Sequence, residues 1–196
     1  GYLALNVIVF NKEIDKIKKI FIEAKRCKVD AIILWDMAVL TICKELELDI
    51  HISTQASVSN FEAFKFYAKL GAKRIVLARE CTLQDISEIH KQAKNENIKC
   101  DIETFIHGAM CVSISGRCFL SQETFKKSAN RGECLQPCRR EFKILDKENE
   151  CEYEIGEDYI LSPKDMCTIA FIEELIKSGI SAFKIEGRMR PGEYVK

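Results

Sequence analysis

A chain of 196 residues, 47% hydrophobic and 31% charged, carries enough apolar material for one packed domain. Thirty basic and thirty acidic side chains cancel, which excludes a net field drawing the whole molecule to nucleic acid or membrane and leaves only local patches. No run approaches the ~20 apolar residues that span a bilayer, and residues 1–6 lack the basic segment of a secretory leader, so the expectation is a cytoplasmic protein without a membrane partner.

Residues 3–10 read as a strand, followed over 12–25 by a helix with Ile14, Ile17, Ile20, Phe21 and Ala24 at helical spacing. The same unit recurs. A strand at 30–35 leads into a helix to about residue 47, a strand at 49–53 into a helix over about 60–70, and a strand at 73–78 into a helix over 83–95. Residues 98–105 make a fifth strand. Near-continuous apolar strands alternating with amphipathic helices mean parallel strands covered on both faces by right-handed crossovers. No Gly-rich phosphate loop follows any strand, which weakens a nucleotide-binding sheet and leaves the barrel.

After residue 105 the rhythm breaks. Residues 107–160 carry Gly, Asn, Pro, clustered Cys and many charges, the composition of a functional insertion at the C-terminal end of the fifth strand. A helix at 162–178 and a sixth strand at 182–186 follow. The expected fold is therefore a single α/β domain over 1–196, a partial TIM-type (β/α)8 barrel with about six of eight strands that lacks two βα units at its front.

Ten cysteines are many for a cytoplasmic chain, where clustered thiols more often bind metal than pair as disulfides. Cys27, Cys43, Cys81 and Cys100 are scattered among apolar segments and read as small buried hydrophobes. Cys111, Cys118, Cys134 and Cys138 crowd into one irregular stretch, with Cys151 and Cys167 beyond. Soft anionic sulfur suits an iron–sulfur cluster. Zinc also takes four thiolates, although the paired Cys-x-x-Cys knuckles of structural zinc sites are missing; buried or disulfide-bonded thiols are the plainer alternative.

Barrel sites lie at the C-terminal ends of strands, which singles out Asp36, Ser53, Gln55, Arg79, Glu80, Glu103, His107, Lys184, Glu186 and Arg188. Arg79 either pairs with Glu80 or clamps a carboxylate by its planar fork, with Arg188 as a second cation. His107 is an acid/base candidate or a hydrogen-bonded structural imidazole. A Cys111–His107 dyad can be drawn for peptidase chemistry, but no His-Glu-x-x-His or Gly-x-Ser-x-Gly motif is present. Lys126, Lys127, Arg131, Arg139 and Arg140, interleaved with Phe125 and Phe142, offer an RNA-binding patch or a solvated loop.

Residues 103–121 place Glu103, Phe105, Gly108, Cys111, Gly116, Cys118 and Ser121 in one register. This stretch resembles the signature of the collagenase-like peptidases. Ser53-Thr54-Gln55, Ala78-Arg79-Glu80, the run at 130–139, Ser162-Pro163-Lys164-Asp165 and the run at 184–188 agree, so the resemblance covers nearly the whole chain. It implies a barrel, a four-iron, four-sulfur cluster on Cys111, Cys118, Cys134 and Cys167 with Cys138 as the alternative, and tRNA wobble-uridine hydroxylation with prephenate as co-substrate. Catalytic roles would fall to His107, Arg79 and Glu80, and substrate binding to Ser53, Gln55, Arg79, Lys184 and Arg188. The alternatives within that resemblance are a collagenase-like peptidase, a quinone-hydroxylation protein and a non-enzymatic barrel module.

Overall fold

The computed structural model describes residues 1–148, 151–154 and 160–196; parts of the expected 107–160 insertion thus lie outside the described residues. The first half is built from repeated βα units: β1 (Tyr2–Leu5), α1 (Ile14–Arg26), β2 (Ala31–Leu34), α2 (Met37–Glu45), β3 (Ile50–Ile52), α3 (Phe61–Lys69), β4 (Ala72–Val76) and α4 (Leu83–Asn95). Helices α2, α3 and α4 start where the sequence supplies a side-chain partner for the free N–H groups. Asp36 accepts from the N–H groups of Ala38 and Val39, Asn60 accepts from Ala63, and Thr82 with Asp85 closes a capping box on α4. Asp36, a strand-end candidate, thus serves as the cap of α2.

Strand β5 (Asp101–Gly108) continues the parallel order β1-β2-β3-β4-β5, and β9 (Ala182–Glu186) lies parallel to β5 on its far side. The short strand β8 (Met166–Cys167) runs antiparallel to the last residues of β5. The result is a mixed α/β fold with a seven-stranded, mainly parallel sheet that does not close on itself. One face packs on the helices: Ile32, Leu34, Ile50, Ile52, Ile75 and Ile102 meet Phe21, Val39, Phe64 and Ile89 in a single core. Phe21 and Phe64 are fully buried, and each contributes roughly 2–3 kcal/mol from the apolar surface it removes from water. Among the described residues no helix is long and apolar enough to cross a membrane.

The opposite face of the sheet is charged. Buried Glu103 accepts a hydrogen bond from Lys184 Nζ at 2.8 Å and lies 3.6 Å from Arg74 Nη1, while Arg74 pairs with Asp101 at 2.9 Å. The buried His51 ring meets Tyr2 edge-on, with centroids 4.8 Å apart.

Three expectations change. The first strand stops at Leu5, because the chain then turns towards the insertion, where the Ile8 N–H bonds to Asn130 O at 3.0 Å. The helix expected at 162–178 shrinks to α6 (Ile172–Lys177). β4 ends opposite Glu103, leaving a free edge along the rest of β5 that Met166 and Cys167 occupy, and this strand pairing takes the place of the first turns of the expected helix. Cys167 is therefore a strand residue, and β8 is a seventh strand beyond the expected six. The described part of the insertion holds α5 (Leu120–Phe125) and a hairpin of β6 (Lys143–Asp146) with β7 (Cys151–Glu154); α7 (Gly192–Val195) lies at the end of the chain.

Candidate functional site

The insertion folds back over the C-terminal ends of the strands and encloses a cavity of about 210 Å³. The strand ends contribute Asn6 after β1, Gln55 after β3, Arg79 after β4, Cys111 after β5, and Glu186 and Arg188 at and beyond the end of β9. From the insertion come Cys118, Cys134, Cys138 and Arg139. Gly108 makes this closure possible: its φ is +102°, and a Cβ there would stand 2.1 Å from Glu186 O.

Three of the four thiols have the same local geometry. Cys111 Sγ accepts from the Ser113 N–H at 3.4 Å, Cys118 Sγ from Leu120 at 3.3 Å and Cys134 Sγ from Gln136 at 3.4 Å. Each bond runs from the N–H two residues on. Gln136 takes a left-handed φ of +51° beside Cys134, and Ser115 a φ of +49° between Cys111 and Cys118. Burial pushes the Cys111 thiol up; the Ser113 N–H and Arg79 oppose this, while neighbouring Cys118 and Cys134 add to it. Burial likewise raises Cys138, followed by the charges of Cys111 and Cys134, with Arg139 pulling the other way. Four soft sulfur donors thus line one cavity, a set that suits a sulfur-loving metal centre.

A single zinc ion, with Zn–S bonds near 2.3 Å, draws four sulfurs to within about 3.8 Å of each other. Among the described residues, no three His, Cys, Asp or Glu side chains close on one point in that way. Cys111, Cys118, Cys134 and Cys138 all line the one cavity, and soft thiol donors are the residue type that an iron–sulfur cluster takes. Cys138 lines the cavity and is half-buried, whereas Cys167 is exposed on β8 beside His107 and does not line it.

Arg79 is half-buried at the centre of the wall. Its Nη1 donates to Ala109 O at 2.8 Å, and the guanidinium carbon lies over the Phe105 ring, 3.8 Å from its centroid. Burial lowers its pKa, opposed by the charges of Glu186, Cys111 and Glu80. The Arg79–Glu80 pair allowed by the sequence does not form among the described contacts; exposed Glu80 accepts instead from the Ser115 N–H at 3.4 Å. Beside Arg79, Gln55 Oε1 accepts from Asn6 Nδ2 at 2.7 Å and from Ser53 Oγ at 2.5 Å, so the glutamine amide is held in place on the cavity wall.

Other expected site residues lie elsewhere. Lys184 does not line the cavity; it is committed to Glu103 on the charged face. His107 packs on Tyr194, ring centroids 5.4 Å apart, and no hydrogen bond joins it to Cys111 among the described residues. Most of the expected cationic patch is paired. Arg131 bonds to Glu13, Nη1 to Oε2 at 2.9 Å, Lys127 pairs with Glu133 at 3.3 Å, and Arg139 with Asp165 at 2.7 Å. Arg140 stacks on Phe125 at 4.3 Å and, with Lys126, stays exposed.

Sequence reasoning gave no role to Asn6 or Asp165. Asp165 accepts from Tyr194 OH at 3.0 Å and Arg190 Nη2 at 3.1 Å as well as pairing with Arg139. The Ser162-Pro163-Lys164-Asp165 segment carried the family resemblance, but its partners are distant in sequence.

Residues 1–196, the whole chain, match Peptidase family U32. The chain belongs to this family. Among U32 relatives, an uncharacterized protease of Methanocaldococcus jannaschii is 43% identical over 196 residues, covering 99% of this chain and 48% of that protein. A collagenase of Porphyromonas gingivalis is 39% identical over 201 residues, 100% of this chain and 48% of its own length. The tRNA hydroxylation protein P1 of Bacillus subtilis is 34% identical over 200 residues, 99% of this chain and 46% of its own length. The chain thus spans about half the length of the curated relatives it matches. A solved U32 peptidase structure superposes with a TM-score of 0.56 over 97% of this chain and 70% of its own, at 14% identity, and shares the fold.

Proposed function

We propose that this U32 chain belongs to an RNA-modifying hydroxylation enzyme that holds a four-iron, four-sulfur cluster in the thiol cavity. The observation that carries the reading is the cavity itself: four cysteines, three of them bonded by backbone N–H groups, beside Arg79 and Arg188. Cys111, Cys118 and Cys134 would hold the cluster with Cys138, the fourth thiol that the cavity favours; Cys167 is the fourth ligand that the resemblance implies. Such a cluster would supply one-electron chemistry when bound. The residues of the chain do the positioning. Arg79, fixed by Ala109 O and Phe105, offers a planar fork to a carboxylate, as a prephenate-type donor would present. Gln55, oriented by Asn6 and Ser53, offers its amide to the same ligand.

In this reading the open sheet is part of a (β/α)8 barrel, and RNA approaches past exposed Arg140 and Lys126 and half-buried Phe125. A cytoplasmic location accords with RNA as substrate and with free thiols. The test is mass spectrometry of nucleosides from total tRNA and rRNA of cells lacking the protein. A hydroxylated pyrimidine that disappears, and returns with wild-type protein but not with Cys111→Ala, supports the reading; unchanged nucleosides together with gelatin cleavage by purified protein would replace it with the peptidase.

A further inference from the structure

Helix α5 is six residues long, and the two consecutive residues that begin it hold two different cysteines. The Leu120 N–H bonds to Cys118 Sγ at 3.3 Å. Ser121 Oγ accepts from the Leu135 N–H at 3.1 Å and donates to Glu133 O at 3.4 Å, so one hydroxyl holds the backbone on both sides of Cys134. The chain between the two cysteines is pinned as well, because Asn130 Oδ1 accepts from the Cys118 N–H at 3.2 Å.

A hydroxyl inside a helix ordinarily bonds back to the carbonyl four residues earlier, as exposed Thr124 does with Leu120 O at 2.8 Å. Ser121 reaches out of its helix instead, and it is only 1% exposed. Alanine would be the better helix former at this position and would bring no hydroxyl to desolvate. What the serine adds is the link to Cys134. Ser121 lines the cavity together with Cys118 and Cys134.

We propose that Ser121 is the positioning residue that fixes Cys134 relative to Cys118 and so sets the spacing of the thiols across the cavity. The proposal rests on the reading that these thiols act as one ligand set, and it adds a residue that is not itself a ligand. Groups that orient a metal's ligands without touching the metal change its affinity by about tenfold to a hundredfold when removed.

The experiment is alkylation of the intact, metal-free protein with iodoacetamide at one pH, resolved by site with peptide mass spectrometry. Beside it, iron release to a chelator is followed on protein reconstituted with iron and sulfide. In Ser121→Ala, Cys134 should react about tenfold faster than in wild type, the order expected from two lost hydrogen bonds, while Cys111 stays within about threefold. Iron release should quicken by about tenfold to a hundredfold. Ser121→Thr, which keeps the hydroxyl, should stay near wild type in both; if its extra methyl does not fit, Ser121→Ala and the control decide. The control is Ser178→Ala, since Ser178 is 4% exposed, donates to Leu175 O at 2.7 Å and does not line the cavity; it should move neither readout. Wild-type alkylation of Cys134 in Ser121→Ala, an equal gain at Cys111, or the same gain in Ser178→Ala overturns the proposal. A wild type that takes up no iron counts against the cluster reading alone, since the alkylation is measured without metal.

Discussion

Gly108→Ala separates the geometry of the strand junction from the chemistry of the thiols. A methyl group there would stand 2.1 Å from Glu186 O, roughly 1.2 Å inside the closest ordinary carbon–oxygen approach of ~3.3 Å. The φ of +102° costs an alanine about 1–2 kcal/mol. Relieving the clash means parting β5 from β9 at their C-terminal ends, at about 1 kcal/mol for each ladder hydrogen bond lost. The sum is about 3 kcal/mol, a fall in melting temperature of about 6–12 °C for a chain of this size. Because Ala109 receives Arg79 and Cys111 follows two residues later, iron retention should fall as well. Thermal unfolding followed by circular dichroism, with iron measured on the same sample, is the assay. A variant melting within about 2 °C of wild type would refute the argument that β5 and β9 meet closely at Gly108.

Alanine at Cys138 should remove bound iron while alanine at Cys167 leaves it; the reverse pattern would move the fourth ligand to Cys167 and refute the choice made from the cavity. Burial pushes Cys43 and Cys100 up to about 12 and Cys81 up to about 11, so these thiols should resist alkylation in the native protein while exposed Cys27 and Cys167 react, as read by peptide mass spectrometry. Burial, reinforced by Arg74, holds His51 below its ordinary 6.5, so folding favours the neutral ring. That stability is complete above the ordinary value and is lost as pH falls through the depressed one. Urea midpoints should therefore decline from about pH 7.5 to about pH 5.5 in wild type and decline less in His51→Gln; parallel slopes would contradict the assignment.

The sequence exposes those parts of this fold that are decided locally. Helix α4 starts at Leu83 because Thr82 and Asp85 cap it, and β9 spans 182–186 as its apolar run suggests. The helix read at 162–178 failed because the pairing that captures Met166 and Cys167 depends on how far β5 extends past β4, a tertiary fact. At the site, clustering made Cys111, Cys118, Cys134 and Cys138 visible, and the strand-end rule found Arg79 and Gln55. Lys184 obeys the same rule, and its side chain serves the charge network around Glu103. Arg139 and Asp165 stand 26 positions apart, and no local pattern joins them.

The most direct test of the account is metal analysis with a visible spectrum of protein purified without oxygen, wild type against Cys111→Ala. The account predicts about four irons with matching sulfide per chain and absorption near about 400 nm in wild type, both lost in the variant. Zinc in place of iron, or colourless metal-free wild type, would contradict it.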